Sequence, residues 1–261
     1  MKKFGFTLQE ILITLAIIGV IAALTIPALT LQYNEKVWAK SLSAAVSNFE
    51  TAMSTMIIKD GANDLYGTRA WKSLGGGVLS DEGGEIWKFM DIVSETYPLV
   101  GEFYAAEFFD NNKDYGYFKG VGNLSNDSRE EMYSLPVIGE SVVYKTKKGM
   151  FLYIYIKDPT KDPDKISEVD AMNAGVSLTE TAAKIAFDVN GDKAPNIIGR
   201  DIFFFILGAD GVLYPYGSKD VNNKLGEEYT CNVWDGTKYG TNNRGMGCTA
   251  ELIKNGYEMN Y

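Results

Sequence analysis

Residues 5–31 read GFTLQEILITLAIIGVIAALTIPALTL, and the architecture of the chain turns on them. From Ile11 to Leu31 there is no charged side chain. At the rise of an α-helix this run spans about 31 Å, the hydrocarbon thickness of a bilayer. Lys2 and Lys3 precede it and place the N-terminus in the cytoplasm, with everything after Leu31 outside. The expectation is a single-pass protein of the cytoplasmic membrane with an extracytoplasmic outer domain. Glu10 is the odd residue, a carboxylate at the lip of the apolar run that follows Gly-Phe-Thr-Leu rather than a polar linker.

Three readings of this stretch compete. A secretory signal peptide has an apolar region of about 7–15 residues closed by a small-residue cleavage site. Here the run is longer, and nothing like A-x-A closes it. A plain anchor would use Thr7 and Glu10 as a capping box, the hydroxyl covering one free amide and the carboxylate another. That leaves the Gly-Phe junction unexplained.

The third reading is a resemblance. The short basic leader, Gly5, then Phe6-Thr7-Leu8-x-Glu10 and about twenty apolar residues resemble the leader of type IV prepilins and type II secretion pseudopilins. The resemblance implies that a prepilin peptidase cuts after Gly5 and that the new amine of Phe6 is N-methylated. It implies that Glu10 sets the axial register of assembly and that the helix kinks at Pro27. Gly19 within the run agrees with it. The implied partners are the peptidase, other pilin or pseudopilin subunits, the inner-membrane assembly platform and the membrane itself. The motif covers the first 35 or so residues and identifies a system, not the role of the outer domain. At 261 residues the chain is large for a major subunit and suits a minor one.

Composition narrows the alternatives. The net charge is −9, and taking Lys2 and Lys3 from 25 basic side chains leaves 23 against 34 acidic, or −11. Broad binding of nucleic acid needs clustered Lys and Arg, so it is not expected. There is no histidine, which removes the commonest general base, the Ser-His and Cys-His pairs and most zinc sites. Neither G-x-S-x-G, S-x-x-K, C-x-x-C nor a phosphate-binding G-x-x-x-x-G-K occurs. The chain is therefore expected to be the substrate of an enzyme rather than an enzyme. The rival is a membrane-anchored enzyme or binding protein whose outer domain acts alone.

Beyond Leu31 a helical pattern continues. Trp38, Leu42, Val46, Phe49, Met53 and Ile57 recur at spacings of three and four, and Asp60-Gly61 offers a stop. The division is a leader (1–5), the membrane half of the helix (6–31), its amphipathic half (32–60) and an outer domain (61–261). From Gly61 to about Glu140 periodicity is poor. Glu85–Tyr97 suits a short helix with Ile86, Phe89, Met90 and Val93 on one side, and Phe103–Phe109 an aromatic cover for a sheet edge. Val142–Tyr144 and Met150–Lys157 around Lys147-Lys148-Gly149 read as a β-hairpin. Ala183–Val189, Asp201–Leu207 and Val212–Tyr214 follow as strands, the last after an Asp210-Gly211 turn. The fold class is α+β, a long N-terminal helix laid across one face of an antiparallel sheet. That is also the pilin architecture the leader implies.

Two local features bear on the outer domain. Asp188, Asn190 and Asp192 place oxygens at alternate positions, as a calcium loop opens, and Asp201 is near enough in sequence to fold back as a ligand. Lys193 and Gly199 break the full EF-hand pattern, so calcium competes with a plain glycine turn. Otherwise no cofactor is expected. Cys231 and Cys248 enclose a segment rich in Gly and Asn that cannot form a core of its own. In an exported chain a disulfide closing it is the natural device, worth about 3 kcal/mol on loop entropy. The alternative is two unrelated buried thiols. A C-terminal disulfide-bounded loop is also a feature the resemblance implies.

Overall fold

Thr7 starts the first helix, and Asp60 with Gly61 ends it. Between them α1 (Leu8–Lys59) runs for 52 residues, about 78 Å at the α-helical rise. The computed structural model describes residues 7–73, 84–97, 99–105, 122–123, 142–146, 149–156, 174–191, 193, 197–217, 231 and 247–260. The predicted stop is realised as a Schellman motif. Gly61 takes φ 61°, its N–H donates to Ile58 O at 3.1 Å, and Ala62 N–H donates to Ile57 O at 3.0 Å.

The chain then makes a one-turn 3₁₀ helix (Leu65–Gly67), α2 (Arg69–Lys72) and α3 (Gly84–Ser94). Asp64 and Thr68 cap the first two through their side-chain oxygens. Eight strands form one sheet among the described residues. They are β1 (Leu99–Ala105), β2 (Gly122–Asn123), β3 (Val142–Thr146), β4 (Phe151–Ile156), β5 (Thr181–Asp188), β6 (Ile197–Ile198), β7 (Ile202–Gly208) and β8 (Leu213–Pro215). Antiparallel pairing runs β1-β3-β4-β5-β7-β8, while β6 and β2 add short parallel pairs beyond β7. A last helix, α4 (Cys248–Lys254), packs against β7.

The predicted stripe of α1 is the core. Trp38, Leu42, Val46, Phe49 and Met53 are buried, Ile57 packs at the margin, and Ala39, Ala45, Ala52 and Met56 fill in between. They meet one sheet face built of Leu152, Ile154, Ile156, Ile185, Phe187, Phe203, Phe205 and Leu207. Phe49 stands edge-on to Phe187 at 6.0 Å, and Phe187 edge-on to Phe205 at 5.6 Å. Glu50 reaches across to accept the N–H of Leu213 at 2.9 Å. At the β7–β8 turn, Gly211 (φ 84°) lies so close to α1 that a Cβ there would sit 3.2 Å from that of Met53.

Helix across sheet is the α+β arrangement expected, with two differences. Phe151, Tyr153, Tyr155, Ala186, Phe204 and Ile206 are also buried, so both faces of the sheet centre are covered. And residues 99–105 do not cover an edge: they are the edge, strand β1, paired with β3. Residues 106–109 and the side chains of Ile86 and Met90 lie outside the described residues; Phe89 and Val93 are buried as expected.

Candidate functional site

The start of α1 is a closed hydrogen-bond ring. Glu10 N–H donates to Thr7 Oγ1 at 3.2 Å, while Glu10 Oε2 accepts from Thr7 N–H at 2.8 Å and from the Thr7 hydroxyl at 2.9 Å. This is the capping box, and it satisfies two amides that a helix start leaves open. Gly5 and Phe6, the expected cleavage and methylation residues, lie outside the described residues.

From Leu8 to Leu31 the described side chains are exposed, with Ala22 alone partly covered. Leu12, Ile13, Leu15, Ile18, Val20, Ile21 and Leu24 are each more than half exposed, and their positions go round the whole axis. The helix lies near the N-terminus and, among the described residues, is the one helix long and apolar enough to cross a membrane. The three threonines within it look like polar flaws, but each hydroxyl donates back to the preceding turn. Thr14 reaches Ile11 O at 2.9 Å, Thr25 reaches Ile21 O at 2.9 Å and Thr30 reaches Ile26 O at 2.8 Å. In a medium without water this leaves no hydroxyl unsatisfied. Sequence reasoning passed over these residues; the rule that Ser and Thr bond the carbonyl three or four residues back would have found them. Pro27 sits inside α1, which continues through it. Its missing N–H leaves the Ala23 carbonyl without its usual helical donor.

The residues singled out for calcium are partly brought together. Asp188 ends β5 and accepts the N–H of Asn190 at 3.3 Å and of Gly191 at 2.9 Å, an Asx turn. Asp201 does fold back: its Oδ2 accepts from Asn190 Nδ2 at 2.8 Å, and its carbonyl takes the N–H of Val189 at 2.9 Å. Asn190 thus turns a donor, not an oxygen, toward Asp201, so a cation there would first have to displace an N–H. Asp192 lies outside the described residues, and among the described residues no group of three acidic or thiol ligands converges.

Cys231 and Cys248 are joined as a disulfide, which disposes of the unrelated-thiol alternative. Cys248 opens α4, where the neighbouring Thr249 Oγ1 accepts the N–H of Phe204 at 3.1 Å and Ala250 N–H donates to Tyr216 O at 3.0 Å. The bridge therefore ties its loop to the β7–β8 end of the sheet. Residues 232–246 within it lie outside the described residues.

At the far end of α1 four charges clasp the helix to the start of α2 and the end of α3. Arg69 donates through Nε to Asp60 at 2.8 Å and through a terminal nitrogen to Glu95 at 3.2 Å, while Lys59 also pairs with Glu95. No protein-family model, curated protein or solved structure matches this chain.

Proposed function

We propose that this chain is a filament subunit of the type IV pilus or type II secretion pseudopilus kind, minor rather than major, and not itself an enzyme. A prepilin peptidase cuts it between Gly5 and Phe6, Phe6 is N-methylated, and the first half of α1 then moves from the membrane into a filament core. The observation that carries this reading is the division of α1. One unbroken helix has a second half that is the core of its own domain and a first half with no partner among the described residues. The Gly5-Phe6…Glu10 pattern says what that partner is: other copies of such helices.

Lipid tails are as apolar as leucine, so no hydrophobic gain draws one such helix from the bilayer onto another. Packing alone also leaves the helices free to slide. Register has to come from a polar pair, and Glu10 with the amine of a neighbouring Phe6 supplies opposite charges in an apolar surround. To make that pair Glu10 gives up its ring with Thr7, a loss of about 1 kcal/mol. Leaving a buried carboxylate unpaired costs several times as much, so the exchange favours docking in register.

The second reading, an anchored protein whose outer domain acts alone, draws on the same ring. A carboxylate already satisfied by Thr7 needs nothing further. The mass of the N-terminal peptide from membranes decides between them: N-methylated Phe6 supports the filament subunit, and an intact Met1 refutes it. Glu10→Leu sharpens the choice. The filament reading expects normal insertion and cleavage but little entry into filaments, whereas the cap reading expects only a frayed helix start.

A further inference from the structure

Where α1 leaves its apolar run, a cleft of about 780 Å³ opens between residues 32–43 of the helix and the segment after α4. That segment is folded back by a second Schellman motif. Gly256 N–H donates to Ile253 O at 3.0 Å and Tyr257 N–H to Leu252 O at 2.8 Å, with φ of 66° and 64°. A left-handed tyrosine is an uncommon choice, and it turns the half-buried phenol in against the core, where Tyr257 and Ser43 of α1 line the same cleft. The cleft is built rather than left over.

Its lining carries Glu35, Lys36, Lys40 and Glu258. Glu35 is turned toward Arg200 at 3.7 Å. Lys36 and Lys40 stand one helical turn apart and have no carboxylate partner among the described residues. In a chain of net charge −9 an unneutralised lysine pair is not a sample of a generally basic surface. Height adds the second constraint. Lys36 is about 7.5 Å and Lys40 about 13.5 Å beyond Leu31, and the headgroup layer is roughly 5–8 Å deep. Helix side chains lean toward the N-terminus, and lysine stems are long enough for both ammonium groups to reach back toward the bilayer. Tyr33, largely exposed, stands at the same level, where amphipathic rings settle.

We propose that this cleft binds a phosphate ester, the headgroup of a membrane phospholipid, with its phosphate held by Lys36 and Lys40. Glu258 then faces the headgroup's own ammonium, which makes an ethanolamine lipid the natural occupant. The proposal rests on residues 8–31 lying in a bilayer. The full chain in maltoside micelles, free of other phosphate, is titrated with dihexanoyl phosphatidylethanolamine while the Lys36 and Lys40 side-chain resonances are followed. Saturable shifts of both are expected, and Lys36→Gln with Lys40→Gln lowers the affinity about tenfold or more, as loss of charged hydrogen bonds does. Unmoved lysines, or undiminished binding by the double variant, overturn it. Equal affinity for inorganic phosphate overturns the lipid as the source. Membrane integration, read by alkaline extraction of the same variants, stays unchanged, so failure here is separable from failure of the membrane reading.

Discussion

The two halves of α1 share one axis and one ladder of hydrogen bonds, yet they are held by different surroundings. Gln32–Lys59 buries one stripe, with Leu42, Phe49 and Met53 no more than 1% exposed, while Lys36, Lys40 and Lys59 stay exposed. Leu8–Leu31 has no stripe; from Ile11 on it is uncharged, and among the described residues it is left almost wholly exposed. The second half is helical because packing on the sheet stabilises it. The first is suited to a medium in which the backbone has no water to turn to. Continuity of a helix is thus no evidence of shared stabilisation, and the halves should fail independently.

The largest effect should separate them outright. Phe49→Ala removes a ring wedged between Tyr97 at 5.3 Å and Phe187, and should lower the unfolding free energy of the outer domain by about 3–5 kcal/mol. Leu15→Ala should leave it within about 0.5 kcal/mol. Equal losses in denaturant titrations would show that the halves are one cooperative unit. Next, Ile18→Arg should disfavour membrane integration by about 3 kcal/mol, read in an insertion assay, with the melting of the outer domain unmoved.

The smallest effect concerns the clasp at the end of α1. Hydrogen bonding and charge from Arg69 hold Asp60 below its ordinary value of 3.8, and Lys59 with Arg69 holds Glu95 below its ordinary 4.5. Carboxylates with lowered folded values stabilise the fold above their unfolded values and cease to as pH falls through the folded ones. The outer domain should therefore weaken modestly as pH drops from about 4.5, and Arg69→Gln should flatten that decline. An unchanged acid limb in the variant would place the lability elsewhere.

What was legible in the sequence was what local chemistry dictates. The cap at Thr7, the stop at Asp60-Gly61, the core stripe and the β3–β4 hairpin all have signals within a few residues of themselves. Strand β1 did not. Its register shifts between Leu99 and Phe103, so the period of two is broken where it would have been read. Its partner β3 lies some forty residues on. Helix α4 is short, and its N-cap Gly247 makes no side-chain cap bond. It is placed by the disulfide and by Thr249, contacts that exist only once the sheet does. The Asp188 turn was legible in its residues but not in its geometry, since nothing in the sequence says that Asn190 offers Asp201 its nitrogen.

The double-sided burial of the sheet changes what kind of information fixes its strand pairing. When one face of a strand meets water, a one-residue slip is punished by solvation, because apolar groups are thrown outward. Here a slip of β4 would exchange Leu152, Ile154 and Ile156 for Phe151, Tyr153 and Tyr155, and neither set would meet solvent. The error would be one of volume: aromatic rings pressed onto α1, and aliphatic chains left too small for the opposite layer. In the middle of this sheet, alignment is read by side-chain size and by where two tyrosine hydroxyls can lie, not by exposure to water.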